Sequence, residues 1–280
     1  MDRSAPHTAN NLVDHLFRTE SGKMTAILTR IFGFRHSNLV EDIIQETFLS
    51  ALKTWPLKGQ PDNPSAWLMQ VAKNKAINTL KRKSRLEELD TNHLEEFHQI
   101  NQLFLDHEIK DSLLRMLFAC CYPELPERTQ ILLILKTLCG FSNAEIASAL
   151  LMSAGAVKKA VYRAKKEIQN KYERMSVPAV RDAKKNLDTV YTVIYLMFSE
   201  GYKQSFGANV INEDLCFEAA RLTTLLLEIS DVNHGKTHAL LSLIYFGMAR
   251  FPARMGTNGE IIDLKLQNRS FWDKNYLNAG

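Results

Sequence analysis

Residues 125–171 read LPERTQILLILKTLCGFSNAEIASALLMSAGAVKKAVYRAKKEIQNK, three helical patterns separated by two short breaks. Pro126 sits at a first helical position, where its missing N–H costs nothing. It opens a run with Ile131, Leu132, Leu135 and Leu138 at helical spacing, and Gly140 stops that run. Ser142 stands three residues before Glu145, the arrangement in which cap side chain and cap backbone exchange hydrogen bonds, and the helix it opens turns Ile146, Ala147 and Leu150 inward. After Leu151, Met152 and Ser153, a third helix sets Val157, Ala160, Val161, Ala164 and Ile168 inward and Lys158, Lys159, Tyr162, Arg163, Lys165 and Lys166 outward. Two helices joined by a tight turn, the second small-faced inside and cationic outside, suit entry into a DNA major groove. An ordinary helical hairpin with a solvated basic face carries the same pattern, so this stretch alone leaves both readings open.

The whole chain is 280 residues, long enough for two or three small domains. Its 45% apolar and 24% charged residues are those of a soluble globular protein, and a net charge of +4 leans towards polyanions. The start, 1–10, lacks a cationic segment followed by an apolar one. The most apolar runs, 190–198 and 240–249, fall short of the roughly 20 residues that span a bilayer. A cytoplasmic protein with no membrane partner is expected. Cys120, Cys121, Cys139 and Cys216 form no CxxC pair, which argues for buried free thiols over a disulfide framework or a metal site. With no Gly-rich phosphate loop, metal-ligand spacing or nucleophile beside a base, the chain is expected to be non-enzymatic and without cofactor or metal. His93, His98, His107 and His238 read as surface or linker residues.

Upstream, an amphipathic helix covers 11–32, with Gly22 expected to break or bend it and Gly33 to close it. A second helix, 38–55, buries Leu39, Ile43, Phe48, Leu52 and Trp55, keeps Glu41, Asp42, Gln45 and Glu46 outside, and is expected to end at Pro56. That acidic side is either plain solvated surface or a dock for a basic partner. A Gly/Pro/Asp/Asn loop leads to Asn63 as N-cap and Pro64 at the first helical position. The helix from there to about Leu86 buries Leu68, Val71, Ala72, Ala76 and Leu80, and presents Lys73, Asn74, Asn78, Lys81, Arg82 and Arg85 with Trp67 near its start. Amides and cations along one helix, with an aromatic at its end, suit phosphates and an unstacked base. Trp67 as plain core and a solvated basic helix end would look the same.

From Glu87 to Asp111, eight acids accompany one cation, Lys110, which reads as an acidic linker with a short helix near 101–106. A joint at 175–178 follows the basic helix. Helices over 186–199, 214–228 and 237–250 then form a third all-helical unit, a loop is expected over 251–260, and an apolar stretch runs over 270–277. The fold class is therefore all-α. Two small helical domains, 1–86 and 111–175, are joined by the acidic linker 87–110 and followed by an extension, 176–280.

Read together, Asp42-Ile-Ile-Gln45-Glu46-Thr-Phe48, Ala66-Trp67-Leu68 with Ala72, Asn74 and Lys81-Arg82-Lys83, Leu125-Pro126, Glu145-Ile146-Ala147, Ala156-Val157-Lys158 and Arg163-Ala164 resemble a bacterial sigma factor of the extracytoplasmic-function class. The resemblance covers about 12–172. Cys120-Cys121-Tyr122-Pro123, Phe198-Ser199-Glu200-Gly201-Tyr202 and Arg269-Ser270-Phe271-Trp272 resemble a subgroup with a C-terminal helical extension ending in tetratricopeptide-type helices, before which this chain stops.

The resemblance implies a promoter-specificity subunit of RNA polymerase. Asp42, Gln45 and Glu46 would bind core RNA polymerase. Trp67, Asn74, Asn78, Lys81, Arg82 and Arg85 would serve the minus-ten element of promoter DNA, and Ser153, Lys158, Lys159, Tyr162 and Arg163 the minus-thirty-five element. The extension would contact the sigma domains and modulate them. Asn78 stands where the family usually has Asp, and Ala156 where it usually has Thr, which implies a different promoter sequence. Asn258 and Asn268 also replace an expected Asp. The competing function is a free-standing helix-turn-helix regulator that never touches the polymerase clamp.

Overall fold

A computed structural model describes residues 5–86, 100–122, 125–171, 183–206, 211–229, 234–256 and 260–280. Helices make up its regular structure, and the one extended pairing among the described residues is an isolated bridge between Met255 and Ile261. The chain forms two compact units. One comprises Met1–Ala119, Thr137–Gly140 and Tyr162–Val177, the other Cys120–Lys136, Phe141–Val161 and Pro178–Gly280.

The first unit is built on α1 (Ala5–Phe32), α2 (Ser37–Lys58), α3 (Pro64–Leu86) and α4 (Asp106–Ala119). Its core joins Leu16, Met24, Ile27 and Leu28 of α1 with Ile43, Ile44, Phe48 and Trp55 of α2 and Leu68, Ala72 and Ala76 of α3. Each large apolar side chain taken from water there contributes about 1.5–3 kcal/mol before chain entropy is set against it. Gly33 closes α1 with φ 77°, its N–H donating to the Thr29 carbonyl at 2.8 Å. A left-handed glycine of this kind satisfies a carbonyl left over at a helix end.

Three expectations in this unit need correction. Gly22 does not break α1, which runs through it. The residue is a glycine because an added Cβ would lie 1.8 Å from the Leu138 carbonyl oxygen, so helix backbone and neighbouring chain approach too closely for a side chain. Pro56 does not end α2 either. The helix continues to Lys58 and stops at Gly59, φ 82°, whose N–H donates to the Trp55 carbonyl at 3.0 Å. In the last turn a proline forfeits a single hydrogen bond, a loss a helix end tolerates better than its interior does. Among the described residues the short helix in the linker covers 100–103, and Asp106, placed in the linker by composition, already begins α4. Leu113, Leu114 and Leu117 are buried, α4 packs on α1, and Arg30 Nη1 donates to Ser112 Oγ at 2.9 Å. Tertiary contact thus carries the helix back into an acidic segment. Residues 87–99 and the joint at 175–178 lie outside the described residues.

The second unit holds α5 (Glu127–Thr137), α6 (Asn143–Leu150) and the first half of α7 (Ala154–Lys171). It also holds α8 (Ala183–Tyr202), α9 (Glu213–Leu227), α10 (His234–Met248), α11 (Phe251–Arg254) and α12 (Lys274–Ala279). α9 packs on both α8 and α10. The loop expected over 251–260 is helical in its first four residues, because Phe251, Ala253 and Arg254 are buried and Pro252 suits a first turn. The Arg254 guanidinium stacks 3.6 Å over the Tyr202 ring and donates to the Tyr202 carbonyl at 3.1 Å, so this cation enters the interior with partners. Ser205 Oγ donates to Ser148 Oγ at 3.2 Å, and Asn186 Nδ2 to the Cys121 carbonyl at 3.4 Å.

All four cysteines are free and buried. Burial, with Glu127 adding to it, pushes the Cys121 thiol up to about 12, and burial with Glu213 does the same for Cys216. Above pH 9 the unfolded chain releases these protons while the folded one keeps them, so the two thiols subtract stability as pH rises from about 9 towards 12. Urea midpoints measured across that window should fall, and less steeply in Cys121→Ala/Cys216→Ala. At Gly201 a Cβ would meet Cys216 Sγ at 2.8 Å and the Asn212 carbonyl oxygen at 2.9 Å. Gly201→Ala should therefore destabilise by about 1–3 kcal/mol in the same assay.

Candidate nucleic-acid interface

The start of α6 is fixed by a reciprocal cap. Ser142 Oγ accepts from the Glu145 N–H at 3.2 Å, and the Glu145 carboxylate accepts from the Ser142 N–H at 2.7 Å. Glu145 is 1% exposed, so this polar exchange is sheltered from water and each group would be costly to orphan. At the other end, Leu151 adopts φ 51°, a conformation that costs a side-chain-bearing residue about 1–2 kcal/mol. Met152 N–H then donates to the Ala147 carbonyl at 2.8 Å, and Arg128 donates to the Leu150 carbonyl. Ser153 opens the next helix, its Oγ accepting from the Ala156 N–H at 3.2 Å. The direction of α7 is thus set by hydrogen bonds at both edges of the turn.

On α7, Val157, Val161, Ala164 and Ile168 are buried, whereas Lys158, Lys159, Tyr162 and Arg163 are exposed together with Ser153. Positions i, i+1, i+4 and i+5 lie on one helix face, so the four long side chains form one presented surface. Tyr162 is 66% exposed, a large aromatic left in water. Lys165, expected outward, is instead half-buried and paired with the Glu41 carboxylate.

On α3, Asn63 caps the helix through its Oδ1, which accepts from the Ala66 N–H at 3.0 Å. Asn74, Asn78, Lys81 and Arg82 are exposed at i, i+4, i+7 and i+8, again one face. The Arg85 side chain lies outside the described residues. Trp67 is half-buried, edge-on to Trp55 with ring centroids 5.5 Å apart, so it braces the core and offers only part of its surface. On α2, Asp42, Gln45 and Glu46 are exposed, and Glu46 pairs with Lys75 of α3 at 3.0 Å. Leu49, half exposed, continues their row at i+7 from Asp42 and was missed by reading for charge. An apolar residue in an otherwise polar row was its signal.

Set against known proteins, residues 16–86 match sigma-70 region 2 and residues 115–168 match sigma-70 region 4. Both region 2 and region 4 of sigma-70 are thus present on one chain. The region 2 match falls on α1, α2 and α3, and the region 4 match spans α5, α6 and most of α7. Residues 186–280 match a family of unknown function, DUF6596, which is the identity of the extension. A protein of Haemophilus influenzae described as a probable RNA polymerase sigma factor is 24% identical over 149 residues, 48% of this chain and 77% of that protein. An uncharacterized protein of Rhizobium meliloti is 34% identical over 250 residues, 86% of this chain. The chain spans 58% of the length of that relative. No solved structure matches. No helix among the described residues is long and apolar enough to cross a membrane.

If the caps orient α7, Ser142→Ala should lower the stability of region 4 by about 1 kcal/mol, read as a lower thermal midpoint. Ser142→Asp, which keeps an acceptor at the cap, should recover most of the loss.

Proposed function

We propose that this chain directs core RNA polymerase to promoters and opens them, acting as a non-catalytic cytoplasmic subunit. The observation that carries the reading is the pairing, on one chain, of region 2 and region 4 with an exposed acidic row on α2, an exposed amide-and-cation row on α3 and an exposed row of cations and a tyrosine on α7. Asp42, Gln45 and Glu46 engage a basic surface of polymerase, with Leu49 adding apolar contact. Charge complementarity of this kind sets register and on-rate.

Asn74, Asn78, Lys81, Arg82 and Arg85 hold the separated strand at the minus-ten element, and Trp67 offers its exposed edge to an unstacked base. Ser153, Lys158, Lys159, Tyr162 and Arg163 read the duplex at the minus-thirty-five element, where long side chains on a groove-lying helix reach base edges and phosphates. The segments 1–86, 87–110, 111–175 and 176–280 divide these tasks among polymerase and minus-ten binding, linkage, minus-thirty-five binding and regulation. The extension modulates the sigma domains by direct contact, a reading supported by the Ser205–Ser148 and Asn186–Cys121 hydrogen bonds. A free-standing regulator would use α7 and leave the acidic row and the α3 row without a role.

Mixed with core polymerase on a sizing column, the chain should elute as a stoichiometric complex, and Asp42→Lys/Glu46→Lys should elute apart. Persistence of the complex in the double variant would remove the assignment of the acidic row. In promoter-dependent transcription, Arg163→Ala and Lys158→Ala should each cost on the order of 1–3 kcal/mol on the matched promoter if they touch bases. A uniform, salt-sensitive loss across promoters would assign them to phosphate.

A further inference from the structure

Two stretches that promoter recognition leaves without a task, 198–202 and 269–272, meet at one cavity of the second unit, within the part of the chain that matches DUF6596. The sequence of α10 accounts for the cavity. Leu241, Ile244 and Met248 are buried on one face, and Ala239, Leu243, Phe246 and Gly247 repeat at i, i+4, i+7 and i+8 along the opposite one. A helix apolar on both faces calls for cover on both. The second face receives only part of it. Tyr276 of α12 lies against Tyr245 with ring centroids 5.7 Å apart, and the Phe198 ring of α8 comes so close to Gly247 that a Cβ there would lie 2.4 Å from its Cζ. Leu243 and Phe246 still keep 45% and 47% of their surface in solvent. A cavity of about 660 Å³ opens along this face, bounded also by Leu264, Trp272 and Leu277. Sites that hold small molecules run from roughly 300 to 1,000 Å³, with mostly apolar walls and a few placed polar groups.

The polar groups at this cavity are donors. Arg250, half-buried, is the one charged residue lining it among the described residues. Its Nε donates to Gln267 Oε1 at 3.2 Å, and Gln267, 6% exposed, is itself held by donating to the Ile262 carbonyl at 2.7 Å. The guanidinium is thus anchored along its side, and its two Nη groups meet no acceptor among the described residues. The Asp273 N–H donates to the Ala249 carbonyl at 2.8 Å, which fixes the neighbouring Trp272 beside the end of α10. Trp272 Nε1 and the Tyr202 hydroxyl are buried without a hydrogen-bond partner among the described residues. A buried donor in that state is unfavourable, and a ligand that supplies an acceptor relieves it. One cation and two uncharged donors, with no acid in the lining, select an anion, and the free end of a single guanidinium fits a planar carboxylate. We propose that this cavity binds an amphipathic acid, its apolar body lying along α10 and its carboxylate received by Arg250, with Trp272 and Tyr202 as further donors. The site stands whether or not the chain serves polymerase, and it gives the DUF6596 segment a ligand.

Calorimetric titration of the full chain with decanoate below its micellar concentration, and with decanol as the uncharged counterpart, tests the site. Decanoate should bind saturably, one per chain, and decanol about tenfold more weakly, the scale of one charge-assisted hydrogen bond. Arg250→Gln should bring decanoate down to the level of decanol and leave decanol unchanged. Arg250→Lys, which keeps the charge, should retain most of the difference. Trp272→Phe should weaken both probes, since both present an oxygen to the indole N–H. Ala239→Trp, at an exposed position where the larger ring fills the groove, should abolish binding of both while the thermal midpoint holds. On a sizing column the chain should elute at one volume across concentrations. Absence of saturable heat with decanoate, or binding that survives Ala239→Trp, overturns the site. Equal affinity for the two probes, or decanoate binding unmoved by Arg250→Gln, overturns the carboxylate assignment. A concentration-dependent dimer that Ala239→Trp dissolves overturns the proposal in favour of a second copy of the chain seated on the groove. All of these measurements are made without polymerase or DNA, so none of their outcomes bears on the promoter reading.

Discussion

The exchange of hydrogen bonds between Ser142 and Glu145 decides where α6 begins, and the position of everything downstream in region 4 follows from that start. Because Glu145 is buried, sliding the helix by one residue would strand a carboxylate and a backbone N–H away from water. Leu151 can therefore be held left-handed without glycine, and Ser153 meets the first N–H groups of α7 at a defined point. The direction of α7 is therefore set by the fold itself, so a partner that meets this helix need not spend binding energy on ordering its backbone.

Charge in this protein is arranged by helix face, and each face rests on a packed core. The acidic row of α2 stands on Ile43, Ile44, Phe48 and Trp55, the amide-and-cation row of α3 on Leu68, Ala72 and Ala76, and the row of cations and Tyr162 on α7 on Val157, Ala164 and Ile168. Side chains carried by rigid elements reach a partner with less rotational loss than side chains on loops. The net charge of +4 conceals this segregation, since cations on α3 and α7 offset acids on α2. Lys75 and Glu46, and Lys165 and Glu41, show opposite rows already meeting inside one unit.

Periodicity made most of this legible. The capping box, the N-cap at Asn63, the stop at Gly33 and the inward stripe of α7 all follow from local chemistry that operates over four residues, and the structure has them. What escaped depended on residues distant in sequence. Gly22 looked like a helix breaker because nothing nearby reveals the Leu138 carbonyl that presses on it. Pro56 looked like a terminator because the rule that proline breaks helices outranked the glycine signal at Gly59, where the helix stops and the N–H meets the Trp55 carbonyl. Composition drew Asp106 into the linker, whereas packing of α4 on α1 made it helical. For the site, exposure confirmed the outward placement of Lys158, Lys159, Tyr162 and Arg163, while Lys165 and Trp67 turned out to be engaged, one by an ion pair and one by a ring.

The burial of Cys120, Cys121, Cys139 and Cys216 has a practical side. Attack on a probe requires a thiolate at the surface, and these sulfurs are held inside, two of them with the proton retained far into the alkaline range. A cysteine engineered onto a solvent-facing helix position would be the first to react under mild conditions. The native thiols can stay in place, so the core need not be rebuilt to report on its own motions, and spectroscopic rulers can be attached to the intact sequence at chosen points.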